Sequence, residues 1–192
     1  MNQEEARALL EESGALLAGH FLLSSGRHSD RYVEKARVLE RPDAVVRLAG
    51  EMASWHQRIE TVVSPAVGAI ALGFAVALEA GARFVFAERE EGRMALRRGF
   101  VLAPGERVLV VEDVITTGAS AGEVFELVSG LGADALGVAA LVDRSQSAPG
   151  LPLRALVRLE AVSWAPDECP LCREGVPFDA PGSRHVAAEG ER

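Results

Sequence analysis

Apolar residues change rhythm twice along this chain of 192 residues. Between residues 3 and 18 they recur every three to four positions (Ala6, Leu9, Leu10, Leu16, Leu17), which predicts an amphipathic helix with a break at Gly14 and a stop at Gly19. Residues 21–23 and 32–39 read as short strands around a Ser/Gly/His loop. Pro42 and Asp43 open a helix that runs to about residue 57, with Ala44, Val45, Leu48, Ala49 and Met52 facing inward.

The pattern then alternates between short apolar runs and helical stretches. Residues 59–65 predict a buried strand, 66–81 a helix of small apolar residues closed by Gly81, and 83–88 a second strand. Residues 89–106 are polar and Arg-rich, without a helical period, and read as a loop. A strand at 107–113, a helix at 116–133 starting near Gly118 and a strand at 134–144 complete the series. Near-continuous apolar strands alternating with helices imply an α/β fold with a mostly parallel sheet covered on both faces. The core is expected at 59–144, within a single domain spanning 1–192, with the remaining residues as flanking additions.

Composition narrows the class. Hydrophobic residues make up 48% of the chain, enough for a sizeable core, yet no apolar run reaches the ~18 residues of a membrane span. The acidic amphipathic start does not resemble a signal peptide, so the expected compartment is the cytoplasm. A net charge of -8 argues against general nucleic-acid binding but leaves room for a local cationic pocket. Nineteen Arg against one Lys, and a single Asn, fit either heat adaptation or a GC-rich coding bias. Cys169 and Cys172, in "CPLC", are reduced thiols in a tight turn, a redox pair, or half of a zinc site that His185 or a second chain would extend.

The chemistry concentrates where strands end. "VLVVEDVITTGAS" (108–120) places Glu112 and Asp113 side by side at the end of a buried strand, ahead of a turn of small residues. Thr116, Thr117, Gly118, Ala119 and Ser120 at a helix start offer free backbone N–H groups and hydroxyl donors, an anion cradle. Alone, such a turn is an ordinary helix cap. Carboxylates beside a phosphate cradle repel the phosphate, so their presence needs a reason; accepting hydrogen bonds from two sugar hydroxyls, or holding Mg²⁺, is one. The stretch suits a ligand that carries ribose and phosphate together.

With those residues in view, "VLVVEDVITTGAS" resembles the phosphoribosyl pyrophosphate motif of type I phosphoribosyltransferases. "FLLSSGRHSDRY" (21–32), "SPAVGAIALG" (64–73), "LVDR" (141–144) and "CPLCREGVPFDAPGSR" (169–184) are similar to segments of the orotate phosphoribosyltransferases, in particular a bacterial subgroup that includes heat-adapted members. The resemblance covers most of the chain. It implies a parallel sheet flanked by helices, with a small hood built from 20–40 and 145–185. It also implies transfer of 5-phosphoribosyl to orotate with Mg²⁺ as cofactor, by a homodimer with shared active sites. Glu112 and Asp113 would hold the ribose, and Val114, Ile115 and the turn through Ser120 the 5′-phosphate. Thr116, Arg144, Ser25, Gly26 and Tyr32 would meet orotate.

Arg144 would bind the orotate carboxylate as a guanidinium fork; the plainer alternative is a surface Arg paired with Asp143 or another neighbour. Tyr32 would stack on the pyrimidine, or serve as a core or dimer aromatic. His28 reads as a satisfied loop histidine. Residues 88–98, with Arg89, Arg93, Arg97 and Arg98 among Glu88, Glu90 and Glu91, form either a solvated loop or a lid over the departing pyrophosphate. Arg93 and Arg97 are the lid's catalytic candidates beside Asp113. Two departures from the family pattern stand out: the lid lacks Lys and His, and Ser24 replaces a family Lys, which leaves Lys35 or Arg27 to supply a cation. The competing functions are a purine phosphoribosyltransferase and a catalytically inactive sensor of phosphoribosyl pyrophosphate.

Overall fold

The computed structural model describes residues 1–23, 25–146, 150–160 and 162–181. In chain order its elements are α1 (Gln3–Glu12), β1 (Leu16–Leu22), β2 (His28–Val33), α2 (Ala36–Leu39), α3 (Pro42–Ala53), β3 (Thr61–Pro65), α4 (Ile70–Ala80), β4 (Arg83–Glu90), β5 (Arg93–Leu96), β6 (Arg107–Ile115), α5 (Ala119–Gly130), β7 (Asp134–Asp143), β8 (Leu153–Arg158), β9 (Ser163–Trp164) and α6 (Pro170–Arg173).

Six strands form the main sheet in the order β5-β4-β3-β6-β7-β8. All neighbours are parallel except β5, which returns antiparallel on β4. Strand side chains alternate between faces, so β6 feeds two cores at once. Leu109 and Val111 join Leu48, Met52, Leu72 and Val76 from α3 and α4 on one face. Val108 and Val110 join Ala121, Val124 and Val128 from α5 on the other. Burial on both faces is why 107–111 reads as an unbroken apolar run. Each fully buried Leu or Met contributes about 1.5–3 kcal/mol to this packing. A separate three-stranded sheet, β1-β2-β9, joins the N-terminal hairpin to the C-terminal segment.

Helices α3, α4 and α5 and strands β3, β4, β6 and β7 lie where the periodicity places them, and Gly81 ends α4 in the left-handed region. Four expectations are corrected. The first helix stops at Glu12: Gly14 takes φ 73°, and Leu16 and Leu17 enter β1, opposite Val33 and Tyr32. Strand pairing overrides a helical spacing that both conformations satisfy. The strand expected at 32–39 ends at Val33, and Ala36–Leu39 turns helical to bury Val38. The loop at 89–106 contains β5, in a hairpin closed by Glu91 and Gly92 at φ 48° and 85°. That two-residue turn matches the strand twist, and its Glu-Gly pair is a weaker signal than Asn-Gly. Finally, β8 extends the main sheet beyond residue 144, so 145–185 is not all hood.

Candidate functional site

Strands β6 and β7 end together, with Ile115 opposite Asp143, and the Arg144 N–H donates to the Ile115 carbonyl at 2.9 Å. That pairing carries Glu112, Asp113 and Arg144 to one edge of the sheet, where an open α/β fold presents its ligand crevice. Beyond Ile115 the chain turns through Gly118, whose φ of 79° caps α5 in a conformation that costs glycine little. Thr116, Thr117, Ala119 and Ser120 surround a small cavity of about 60 Å³ that Glu112, Val114 and Ile115 also line. The Thr117 hydroxyl accepts from the Ala119 N–H at 3.3 Å. The Ser120 and Ala121 N–H groups of the first helical turn have no partner among the described residues, and with the helix dipole they favour an anion.

The two carboxylates are buried, at 9% and 7% exposure, and are treated differently. Asp113 accepts from the Val114 N–H at 2.6 Å and forms an ion pair with Lys35. Glu112 accepts only the Asp113 N–H, at 3.1 Å, among the described residues. Burial, reinforced by the neighbouring Asp113 charge, pushes the Glu112 carboxyl up to about 8. Lys35 follows β2, the central strand of the three-stranded sheet. A Cβ at Gly68 would lie 2.8 Å from Asp113 Oδ2 and would strike Lys35 Nζ, so the loop between β3 and α4 closes directly over this pair. Of the two cations offered as replacements for the family Lys at position 24, Lys35 stands beside the acids. Arg27 is engaged elsewhere, donating to the Ser163 hydroxyl and carbonyl at 3.1 and 2.6 Å. Ser24 itself lies outside the described residues.

Arg144 is half-buried, and desolvation lowers its pKa while Tyr32 and Asp30 oppose the shift. It does not pair with Asp143, which instead accepts from Arg158 at 3.1 Å and from the Ser145 N–H at 2.8 Å. Burial and Glu34 raise the Tyr32 pKa, while Lys35 and Arg144 lower it, so the phenol sits among the same cations. Its ring centroid is 5.7 Å from that of Phe21. Ser25 and Gly26 occupy the turn between β1 and β2. There the Gly26 N–H donates to the Leu23 carbonyl at 2.8 Å, which commits that donor inside the turn.

The lid candidates form an ordered hairpin laced with ion pairs. Arg98 forks onto Glu88 at 2.9 Å through both nitrogens, and Arg89 onto Glu123 at 3.0 and 3.1 Å. Arg97 lies 3.3 Å from Glu90. Arg93, at the hairpin tip, has no acidic partner among the described residues.

Lys35 is the residue whose position the sequence did not supply: no local spacing links it to Asp113, 78 residues away. Being the chain's only Lys was its one signal.

No family model matches the chain. An orotate phosphoribosyltransferase of Chlorobaculum parvum is 51% identical over 192 aligned residues, covering 97% of this chain and 99% of that protein. The enzyme of the same name from Thermotoga maritima is 47% identical, covering 93% and 97%. The crystal structure of orotate phosphoribosyltransferase from Aeropyrum pernix superposes with a TM-score of 0.65 at 27% identity, covering 81% of this chain and 93% of that one. An adenine phosphoribosyltransferase from Thermoanaerobacter pseudethanolicus shares the fold alone, at TM-score 0.58 and 18% identity over 67% of this chain and 88% of its own. Identity near one half, sustained from end to end, reflects common descent, and the chain belongs to the orotate phosphoribosyltransferase family.

Proposed function

We propose that this protein transfers the 5-phosphoribosyl group of phosphoribosyl pyrophosphate to N1 of orotate, giving orotidine 5′-monophosphate and pyrophosphate. The bond from the ribose C1 to the pyrophosphate oxygen breaks, the C1–N1 bond forms, and the N1 proton leaves to solvent. The observation that carries the reading is the meeting of the Lys35–Asp113 pair, Glu112 and the 116–120 turn at one sheet edge, with Arg144 alongside.

The turn from Thr116 to Ser120 holds the 5′-phosphate through backbone N–H groups and hydroxyls, with Val114 and Ile115 as its floor. Asp113 and Glu112 accept hydrogen bonds from the ribose hydroxyls. A carboxyl pushed up to about 8 donates to, as well as accepts from, a sugar hydroxyl near neutral pH. Arg144 takes the orotate carboxylate as a fork, with Tyr32 against the pyrimidine and Thr116 at its edge. Ser25 and Gly26 close the hood over the base. Positive charge develops on the ribose as pyrophosphate departs, so positioning and electrostatics do most of the work.

Hard oxygen donors suit Mg²⁺: the Asp113 carboxylate, and Glu112 once it has lost its proton, would hold it, and the ion would supply charge neutralisation for the departing pyrophosphate. Arg93 and Arg97 supply fixed positive charge toward the pyrophosphate from the β4–β5 hairpin. These arginines stay protonated at neutral pH, so the hairpin acts electrostatically rather than as an acid.

The assembly proposed is a homodimer in the cytoplasm, with each hairpin serving its neighbour's site. Val67, Phe74 and Leu78, 81%, 58% and 64% exposed, form an apolar surface on and before α4 of the kind a partner covers. Among the described residues no helix is long and apolar enough to cross a membrane.

An assay of orotate consumption with phosphoribosyl pyrophosphate, with and without Mg²⁺, tests the function. Mg²⁺-dependent loss of orotate absorbance is expected. Turnover of adenine, hypoxanthine or guanine in place of orotate, or of no base at all, would overturn it.

A further inference from the structure

We propose that His20, His28, Cys169 and Cys172 form a structural zinc site that pins the C-terminal segment to the N-terminal hairpin. The four ligand atoms lie within 4.8 Å of one another. Cys169 Sγ is 3.5 Å from His20 Nε2, and Cys172 Sγ is 3.8 Å from that nitrogen and 3.3 Å from His28 Nδ1. A tetrahedral zinc ion with ordinary Zn–N and Zn–S bonds separates its ligand atoms by roughly 3.3–3.8 Å. The sulfur–nitrogen spacings match that range. The two imidazole nitrogens, 2.7 Å apart, need only spread slightly to admit an ion.

The surroundings are those of a prepared ligand set. His20 Nδ1 lies 2.7 Å from the Val176 carbonyl, which can only accept, so Nδ1 carries the hydrogen and Nε2 turns its lone pair toward the cysteines. His20, His28 and Cys169 are buried, and only Cys172 meets solvent. Phe178 roofs both imidazoles, with centroids 5.6 and 5.2 Å from the rings. Thiolate and imidazole donors in a closed set of four favour zinc over hard cations. Binding displaces two thiol protons and moves the His28 ring hydrogen from Nδ1 to Nε2, with no change in oxidation state.

The fold gives such a site a purpose. His20 and His28 lie on β1 and β2, and the cysteines begin α6 some 150 residues later. Among the described residues few strand contacts link these regions: a two-residue pairing of β2 with β9 and one bridge from Phe21 to Asp179. Closing so long a loop costs chain entropy on folding, and the binding free energy of a metal held only by the folded site would help to offset it. Sequence spacing offered the cysteine pair with His185, which lies outside the described residues. The structure brings two other histidines instead.

The test is the metal content of untagged protein, purified without chelators and desalted after incubation with excess zinc. One tightly held zinc ion per chain is expected, with a dissociation constant on the order of 10⁻⁸ M or tighter. Cobalt added to the zinc-depleted wild type should give intense tetrahedral d–d bands and thiolate-to-cobalt charge transfer. Cys172→Ser should lose the ion or weaken it at least about tenfold, and zinc removal should lower the Tm of the wild type. Less than about a tenth of an equivalent of zinc, with no tetrahedral cobalt spectrum from wild-type protein, would overturn the site. The cobalt measurement decides the matter even if the cysteine variant does not fold.

Discussion

Lys35 forms an ion pair with Asp113 across 78 residues of sequence, joining the segment after β2 to the end of β6 in the main sheet. One carboxylate of the Glu112–Asp113 pair thereby gains an ion-pair partner, while its neighbour forms no ion pair among the described residues and is pushed toward its neutral form, which is how two adjacent acids are tolerated at the end of a buried strand.

Removing that cation tests its function apart from its stabilising effect. Lys35→Met leaves Asp113 beside Glu112 without an opposite charge. The expected result is a fall in kcat/KM of about 10- to 100-fold for phosphoribosyl pyrophosphate. The ammonium is partly exposed, so the Tm should fall only modestly. Unchanged steady-state kinetics would remove Lys35 from the site.

Glu112 predicts a pH signature. Its folded pKa, about 8, exceeds its ordinary value of 4.5, so between those limits the native state holds a proton that the unfolded chain has released. The native state is therefore penalised progressively as pH rises through that window. Glu112→Gln cannot ionise, so its Tm should gain on that of the wild type from about pH 5 to about pH 8 in ligand-free protein. A difference in Tm that stays constant across that range would contradict the shifted carboxyl.

Arg144 separates base recognition from donor recognition. Arg144→Ala should cost about 2–4 kcal/mol toward orotate, roughly 30- to 1000-fold in kcat/KM, chiefly through KM. Phosphoribosyl pyrophosphate binding, measured by calorimetry, should change little. Wild-type orotate kinetics in this variant would assign the carboxylate to another group.

The β4–β5 hairpin is tested by excision. Deleting residues 91–97 removes Arg93 and Arg97 together with β5, whose Met94 and Leu96 pack on the α5 side of the sheet, so the Tm should fall somewhat and kcat by at least about 100-fold, a loss that Arg93→Ala with Arg97→Ala should reproduce with β5 left in place. A nearly normal rate would reduce the hairpin to a surface feature. Mixing the deletion variant with an Arg144→Ala variant should restore activity if each hairpin serves the neighbouring subunit.

What the sequence determined by itself was the central sheet and its loaded edge. Strands such as β6 are buried on both faces, so each announces itself as a continuous apolar run, and Glu112, Asp113 and the small-residue turn follow one another within a single segment. Interactions local in sequence leave local signatures. Tertiary structure decided everything that depended on which distant residues meet. It settled that Leu16 and Leu17 extend β1 rather than a helix, since cross-strand pairing to Val33 and Tyr32 outweighs a spacing both conformations allow. It brought Lys35, not Arg27, to Asp113, and gave Asp143 to Arg158, leaving Arg144 to face Tyr32. It also gathered His20 and His28 around two cysteines at the other end of the chain. Ion pairs and ligand clusters form through space, and a chain that folds back on itself leaves no periodicity to record them.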